Sequence, residues 1–393
     1  MEEARTRMLG GATRLGVETV PLFTSLRRFL AEPVDATRDQ PPFAASAMDG
    51  WAVRAADGGG LRRVVGESAA GHGFPGAVEV GEAVRIFTGA AMPAGADSVV
   101  IQEEALRDGD GVIIPPGVDA RHVRPVGLDF RAGDRLLPSG ARLDPWRLSL
   151  AAAAGRAELS VVVRPRVVIL STGDEVVVPG SRPGPFQIFN SGAVALASLV
   201  ETWGGDAVAL TPVGDDENAT ALAVADSEGD VVVTLGGASV GDHDLVKPAL
   251  RRLGLVLRVE SVAVRPGKPT WFGILADGRR VLGLPGNPAS ALVCAELFLR
   301  PLIRTLLGAE PGPVTITARA GSPFPENGQR ELWMRARLTI SSDGGLWATA
   351  MRDQDSSLVA IFAGADALVC RRPGAAPTAM GELVETLVLD RLS

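Results

Sequence analysis

The hydrophobic and polar positions of the first 160 residues predict mainly short strands. Apolar and β-branched runs alternate there with turn residues such as Asp108-Gly109. Two helices are also predicted, one over residues 26–31 and one over residues 145–154, which follow Asp144. The predicted strands comprise residues 51–53, 63–65, 83–87, 98–102 and 111–114. Together these strands indicate a small all-β lobe.

Residues 166–307 follow a different pattern, in which apolar strands alternate with helices. The predicted strands comprise residues 167–170, 207–213 and 230–235, with a further pair around the Asp277-Gly278 turn. The predicted helices comprise residues 191–203, 217–226, 244–253 and 287–306. This alternation predicts a parallel, doubly wound sheet, and the continuous Val/Ile/Leu strands are typical of burial on both faces. After residue 313, β-branched runs return and predict a small β-barrel or sandwich.

Composition and charge exclude several classes of protein. A chain of 393 residues with 46% hydrophobic residues is expected to form two to four domains and is too apolar for a disordered protein. The net charge of -7 and the lack of a Lys/Arg run argue against nucleic-acid binding. No apolar run is long enough for a membrane span, and MEEARTR has no signal-peptide pattern. Cys294 and Cys370 lie in apolar stretches and predict buried thiols, so a cytoplasmic location is expected.

Three glycine-rich loops follow predicted strands of the central region. They are STGDE at 171–175, GGASVGDHD at 236–244 and LPGNPAS at 284–290. Ligands of open α/β sheets bind at the carboxyl ends of the strands, where glycine lets backbone N–H groups approach an anion. One such loop is more often only a tight turn between a strand and a helix. Three of them at one edge predict an anion site.

Acidic and basic residues accompany these loops. The acids Asp174, Glu175, Asp215, Asp216, Asp242 and Asp244 are all expected at the same edge of the sheet. Carboxylates beside a phosphate site favour Mg²⁺, although an acid that precedes a helix, such as Asp216 or Asp244, is equally explained as a helix cap. Arg265 and Lys268 lie in the stiff RPGKP loop, where they are either ligands for an anion or ordinary surface cations.

Other catalytic motifs are missing. The sequence has neither GxxxxGK[ST] nor HExxH. Residues 237–241, GASVG, match a hydrolase nucleophile elbow, but the one histidine after Ser239 is His243, too close in sequence to complete a triad. Esterase chemistry is therefore disfavoured.

Seven segments together resemble the molybdopterin molybdotransferases, the molybdenum-insertion enzymes related to the gephyrin E domain. They occur in the family's order and cover the chain from about residue 26 onward. The segments are PPFAASAMDGWA, RIFTGAAMPAGADSVV, HVRPVGLDF, STGDEV, GGASVGDHD, RPGKP and LPGNPAS. The chain departs from the usual pattern at Ala238, Leu128 and Asp355, where Val, Glu and Gly are common. This last departure weakens any role for the adjacent Ser356.

The resemblance implies a multidomain α/β plus β fold. A mixed N-terminal linker domain would comprise residues 1–48 and 124–163, with an inserted β domain at 49–123. A doubly wound, mononucleotide-binding α/β domain that binds molybdopterin would comprise residues 164–310, and a C-terminal β-barrel residues 311–393. The implied reaction inserts molybdenum from molybdate into adenylylated molybdopterin and releases AMP, with Mg²⁺ as the cofactor. The implied partners are a second copy of the chain and the upstream molybdopterin adenylyltransferase.

The same resemblance assigns residues to the site, in a cleft between the α/β domain of one subunit and the N-terminal lobe of the other. The expected catalytic residues are Asp49, Thr88, Asp129, Glu175 and Lys268. Asp242 and Asp244 are expected to position Mg²⁺, with Glu175 as a further candidate. The expected substrate-binding residues are Thr172, Gly173, Asp215, Gly236, Gly237, Ser239, Arg265, Pro285, Asn287, Pro288 and Ser290. Two alternatives stay open: a tungstate-inserting paralogue, and a molybdopterin-binding or scaffold protein without catalysis.

Overall fold

The computed structural model describes residues 1–237, 245–312 and 315–389. The chain begins with helix α1 (Glu2–Leu9), strand β1 (Val17–Pro21), a 3₁₀ turn (Leu22–Thr24), β2 (Val34–Asp35) and β3 (Ala45–Ser46). The helix predicted over residues 26–31 is wrong. Phe29 and Leu30 are extended, and their backbones bond to residues 162 and 141. The consecutive apolar side chains are thus buried by pairing with distant segments, which overrides the local helical pattern.

The inserted region is a six-stranded sheet in the order β7-β4-β6-β5-β9-β8. Every strand predicted there is present, as β4 (Gly50–Val53), β5 (Gly60–Ser68), β6 (Glu82–Ile86), β7 (Ser98–Ile101) and β9 (Gly111–Ile114). Strand β8 (Leu106–Asp108) was not predicted. Strand β4, which lies beside the edge strand β7, begins at Gly50, where a Cβ would overlap the carbonyl oxygen of Val100. This close approach of two strands explains why glycine follows Asp49.

The chain leaves the inserted sheet beside the segment by which it entered. Strand β10 (Val123–Arg124) pairs with β3, and β11 (Arg135–Leu137) pairs with β2. Helix α2 (Pro145–Ala153) occupies its predicted position, because the Asp144 carboxylate accepts a hydrogen bond from the Arg147 N–H at 2.8 Å. Strand β12 (Glu158–Val162) then pairs with β1.

The central region is an α/β sheet in the order β16-β13-β17-β21-β20-β18, with helices on both faces. The first four strands are parallel to one another, whereas β20 is antiparallel to both of its neighbours, β21 and β18. The predicted doubly wound sheet is confirmed. In chain order the elements are β13 (Arg166–Ser171), β14 (Val176–Val177), β15 (Ile188–Phe189), α3 (Ser191–Trp203), β16 (Asp206–Ala209), α4 (Glu217–Ala225), β17 (Val231–Leu235), α5 (Val246–Arg251), β18 (Val256–Val259), β19 (Val264–Arg265), β20 (Trp271–Ile274), β21 (Arg280–Leu284), α6 (Pro288–Cys294), a π-helical turn (Ala295–Leu299) and α7 (Arg300–Leu306). Strand β16 ends before the predicted 207–213 segment does, since Pro212 lacks the N–H that a continued ladder needs.

The C-terminal region is a closed five-stranded barrel, as predicted. Its elements are β22 (Thr315–Ala320), β23 (Glu331–Ile340), β24 (Leu346–Ala350), α8 (Val359–Ala363), β25 (Ala367–Arg371) and β26 (Leu383–Val388). The strands close in the order β23-β24-β22-β26-β25 because β25 also pairs with β23. Strand β19 of the α/β region pairs with β23, which ties the barrel to the central sheet.

Both cysteines are buried free thiols, as predicted. Desolvation raises the pKa of Cys294 to about 12, and burial likewise raises the pKa of Cys370 to about 12. Neither thiol is therefore poised as a nucleophile. Across the ranges that the structure describes, no helix combines the length and apolar character needed to cross a membrane.

Candidate functional site

A cleft of about 1070 Å³ opens at the carboxyl edge of the parallel strands β13, β17 and β21. Its size is at the upper end of the range for small-molecule sites. The structure brings together in its lining most of the residues that sequence reasoning assigned to the α/β region: Thr172, Gly173, Glu175, Asp215, Gly236, Gly237, Lys268, Pro285, Asn287 and Pro288. Ser239, Asp242 and Asp244 lie outside the described residues.

The first loop follows β13 and is fixed by bonds to neighbouring strands. The Thr172 N–H donates to the carbonyl of Leu235 at 2.9 Å, and the Gly173 N–H donates to the carbonyl of Val213 at 3.0 Å. Gly173 has a φ of +133°, and a Cβ there would overlap the carboxylate of Glu175. The absent side chain at Gly173 thus lets the exposed Glu175 carboxylate fold back across the loop at the cleft.

The second loop crosses the first at Gly236 and Gly237. Their φ values are +90° and +58°, the region that favours glycine. A Cβ at Gly236 would lie 2.7 Å from the carbonyl oxygen of Thr172, and one at Gly237 would overlap the side chain of Val246. Both the backbone conformation and the packing therefore require glycine at these two positions.

The third loop begins helix α6 and contacts the C-terminal barrel. The Asn287 amide donates to the Ser356 hydroxyl at 3.0 Å, and the Ala289 N–H donates to the Ser356 carbonyl at 3.1 Å. Ser356, for which a weakened role was expected, thus supplies the first turn of α6 with an acceptor from another part of the chain. Ser290 is buried within α6 and is not part of the described cleft lining.

The neighbouring Asp355 orders the barrel loop that carries Ser356. Its carboxylate accepts hydrogen bonds from the hydroxyl of Ser357 at 2.6 Å and from the backbone N–H of Ser357 at 2.8 Å. These bonds hold the pKa of Asp355 below its usual range. Ser357 and Val359 also line the cleft, and the sequence analysis missed both.

Two lysines supply the positive charge of the described cleft lining, and sequence reasoning identified one of them. Lys268 comes from the RPGKP loop, whereas Lys247 comes from the first turn of α5. Arg265, predicted beside Lys268, is exposed on β19 opposite Leu332 and does not belong to the described lining. A signal for Lys247 was present, because Lys247 and Lys268 are the only lysines in the sequence.

The acids of the α/β region divide between two roles. The Asp216 carboxylate accepts from the Ala219 N–H at 2.7 Å and caps α4, so the capping interpretation holds for it. Asp174 accepts from the Asp215 N–H at 3.0 Å and orders that loop. Over the part of the chain that is described, no three His, Cys, Asp or Glu side chains form a group suited to a metal ion.

The N-terminal lobe carries the remaining predicted residues. The Asp49 carboxylate accepts from the Thr88 N–H at 2.7 Å and the Thr88 hydroxyl at 2.9 Å. These bonds, with the nearby charge of Arg85, lower the pKa of Asp49. Arg85 is itself held between the rings of Trp51 and Phe87.

A second cavity, of about 560 Å³, lies in the same lobe. Asp129 lines it together with Leu128, Arg38 and Arg124. The structure thus brings Asp49 and Thr88 together and places Asp129 in a cavity separate from the α/β cleft.

An apolar rim at the α/β cleft was also missed. Ile188 and Phe189 on β15 line the opening and are 59% and 46% exposed. Their pattern in the sequence predicted no element. Exposed apolar side chains beside glycine loops suit a ligand with both a planar ring and a phosphate.

Glycine loops at the carboxyl edge of a parallel sheet, beside two lysines and an apolar rim, define a class of protein that binds nucleotide-like, phosphate-bearing ligands. Three family descriptions match this chain. Residues 1–155 match the MoeA N-terminal region (domain I and II), residues 168–305 a probable molybdopterin binding domain, and residues 317–389 the MoeA C-terminal region (domain IV).

Relatives extend over almost the whole chain. It is 32% identical to a molybdopterin molybdenumtransferase of Haemophilus influenzae, covering 98% of this chain and 97% of the relative. It is 37% identical to a molybdopterin molybdenumtransferase of Nostoc sp., over 82% of this chain and 77% of the relative. The crystal structure of a MoeA molybdopterin biosynthesis protein from Pyrococcus horikoshii matches with a TM-score of 0.83 and 30% identity, covering 98% of each chain. The chain belongs to the MoeA family, and the resemblance seen in its motifs is confirmed.

Proposed function

We propose that this protein inserts molybdenum from molybdate into adenylylated molybdopterin and releases AMP. The observation that carries the proposal is the α/β cleft, whose glycine loops and lysines suit a ligand with phosphate groups. Relatives named molybdopterin molybdenumtransferase match along nearly the full chain. The tungstate-inserting alternative is not favoured, because these relatives are named for molybdenum. Retention of the Asp49–Thr88 contact and of Lys268 in the cleft argues against a scaffold without catalysis.

The phosphate groups of the substrate are assigned to the crossing of the glycine loops. A side chain at Gly236 would meet Thr172 and one at Gly237 would meet Val246, so glycine at both positions lets the loops pack closely at the cleft. The 285–288 loop faces the same opening, with Asn287 held by Ser356. Lys268 neutralises phosphate or molybdate oxygens from the opposite loop. Arg265 and Ser290 remain proposed substrate-binding residues, although neither belongs to the described cleft lining. Ser239, which lies outside the described residues, is proposed with them.

Mg²⁺ is proposed as the cofactor. The fit rests on Glu175 and Asp215, whose carboxylates belong to the cleft lining and provide the oxygen ligands that Mg²⁺ prefers. Asp242 and Asp244, which follow Gly237 in the sequence and lie outside the described residues, complete the proposed set. Bound there, Mg²⁺ would neutralise negative charge on the substrate phosphates.

We also propose that the working unit is a homodimer. Asp49 and Thr88 do not belong to the described lining of the cleft of their own chain, and Asp129 lines a separate cavity. A second copy would bring these residues to the α/β cleft, where the ionised Asp49 carboxylate could act on the reacting groups. The same proposal includes four domains, which comprise residues 1–48 with 124–163, 49–123, 164–310 and 311–393. It also includes a cytoplasmic location and receipt of the substrate from molybdopterin adenylyltransferase.

A defined insertion assay tests the function. Purified protein, adenylylated molybdopterin, Mg²⁺ and a low concentration of molybdate are mixed, and AMP release and active cofactor are both followed, with tungstate in a parallel reaction. Molybdate-dependent AMP release with formation of active cofactor is expected. AMP release with tungstate alone would assign the protein to the paralogue. Tight substrate binding with no release by either oxyanion would overturn the catalytic proposal.

A further inference from the structure

The two lysines of this chain lie in one place. Lys247 and Lys268 are the only lysines among 39 basic residues, and all other basic positions except the histidines are arginine. Both lysines line the α/β cleft, although they come from different elements, the first turn of α5 and the RPGKP loop. A chain that otherwise uses arginine as its cation has lysine at the two cationic positions of the described lining. This coincidence indicates that the cleft requires a compact ammonium group rather than a planar guanidinium.

The position of Lys247 runs against ordinary helix electrostatics. A cation in the first turn of a helix faces the positive end of the helix dipole and is disfavoured there. Helix stability alone therefore gives no reason for a lysine at this position. An anion bound at the same edge of the sheet does give a reason, because the ammonium would neutralise its charge.

Packing beneath Lys247 holds the ammonium at the cleft. The Nζ atom lies 5.6 Å from the centre of the Trp271 ring, a cation–π contact. Trp271 is fully buried and pairs with Gly283 on β21, where a Cβ would overlap the indole. Gly283 thus makes room for the ring that supports Lys247. Gly283 is also two residues before Pro285, so the ammonium is held beside the start of the third cleft loop.

Acids outnumber lysines in the described lining of the cleft. Its described lining contains three acids, Glu175, Asp215 and Glu260, against the two lysines. A substrate that carries several phosphate charges enters an acidic protein with a net charge of -7 and meets these acids as well. With one lysine instead of two, the described lining would carry a larger net negative charge.

We propose that Lys247 is a second substrate-binding cation, which acts with Lys268 to hold the phosphate groups of the ligand. The inference deepens the proposed function and rests on it for the identity of the substrate. Binding of a nucleoside monophosphate tests it without requiring turnover.

The first experiment measures the affinity of AMP for the full-length protein by calorimetry. Lys247→Met is expected to weaken AMP binding about tenfold to a hundredfold, the effect of losing one charge-assisted hydrogen bond. Arg251→Met removes a positive charge from the last turn of the same helix, where the side chain is exposed, and is expected to bind AMP like the parent protein. AMP affinity within twofold of the parent in a folded Lys247→Met variant would overturn the proposal.

The second experiment needs no substitution and so does not depend on how a variant folds. Because the sequence has two lysines, acetylation by an N-hydroxysuccinimide ester and mass spectrometry report the accessibility of both separately. Saturating AMP is expected to slow acetylation of Lys247 and Lys268 together, by about tenfold or more. Protection of Lys268 with an unchanged rate at Lys247 would refute the role of Lys247. Protection of both lysines without molybdate-dependent AMP release would instead retain the binding role and reject the proposed transferase.

Discussion

Replacement of Gly236 by alanine tests whether the crossing of the first two loops needs a bare backbone. The φ of +90° places an L-residue in a strained region, at a cost of about 1–2 kcal/mol. The new Cβ would also lie 2.7 Å from the carbonyl oxygen of Thr172, a backbone atom that cannot rotate away. Overpacking of this kind costs about 1–3 kcal/mol. The free energy of unfolding is therefore expected to fall by about 2–5 kcal/mol in Gly236→Ala.

Gly278 provides a matched control in the same sheet. It has the same φ of +90° in the turn between β20 and β21, but a Cβ there meets nothing within 4 Å. Gly278→Ala therefore isolates the conformational cost and is expected to lose about 1–2 kcal/mol. AMP affinity should be unchanged in this variant, since the turn is exposed and is not part of the described cleft lining.

Urea-induced unfolding followed by tryptophan fluorescence measures the stability of both variants, and AMP titration measures the site. Gly236→Ala is expected to lose both stability and AMP affinity, because a shift of the Thr172 carbonyl displaces the loop that ends in Gly173 and Glu175. Equal destabilisation of the two variants, with parent-like AMP affinity in Gly236→Ala, would refute the close-approach argument.

Three further predictions follow from the site and the core. Lys268→Met is expected to raise the KM for the adenylylated substrate about tenfold or more in steady-state assays, since it removes one of two cations in the described lining; an unchanged KM would remove Lys268 from the site. The Thr88 bonds lower the pKa of Asp49 from 3.8, so ionised Asp49 persists until the pH falls through that lowered value, and its contribution is lost below it. Thr88→Val should move the acid limb of the activity profile to higher pH, and an identical limb in parent and variant would contradict this. Both thiols should resist alkylation at neutral pH until denaturant is added, because desolvation raises the pKa of each to about 12; rapid labelling of the native protein would show that they are accessible.

Local pattern was sufficient for much of the fold. Helix α3 begins and ends where its Asn190 cap and Gly204 predict, because both signals act within one turn of the helix. The helix prediction for residues 26–31 was wrong for the opposite reason. Their apolar spacing fits a helix, but Phe29 and Leu30 obtain their hydrogen bonds from segments more than 100 residues away. The sequence near residues 26–31 therefore does not identify these hydrogen-bond partners.

The candidate site divides in the same way. The glycine loops that follow the strands could be located from the sequence, because a positive φ and a close approach of two backbone segments both require glycine. Ser356 and Ser357 could not be located, since their place at the cleft depends on how the barrel docks against α6. Lys247 is intermediate. Its position in a helix is part of no recognisable motif, but it could be singled out as one of the two lysines in the sequence.

An anionic substrate would be held by groups within the cleft rather than by the net charge of the chain. An acidic chain does not attract an anionic substrate at long range, because the field of its net charge opposes the approach. Selectivity for an anion must then come from groups within the cleft, where charges are partly shielded from solvent and interact strongly. Backbone N–H groups at the glycine loops and two ammonium groups are such local elements. The barrel contributes by fixing the first turn of α6 through Ser356, so that the third loop has a defined position relative to both lysines. The candidate site therefore depends on contacts between distant parts of the chain, even though each glycine loop could be located from its local sequence.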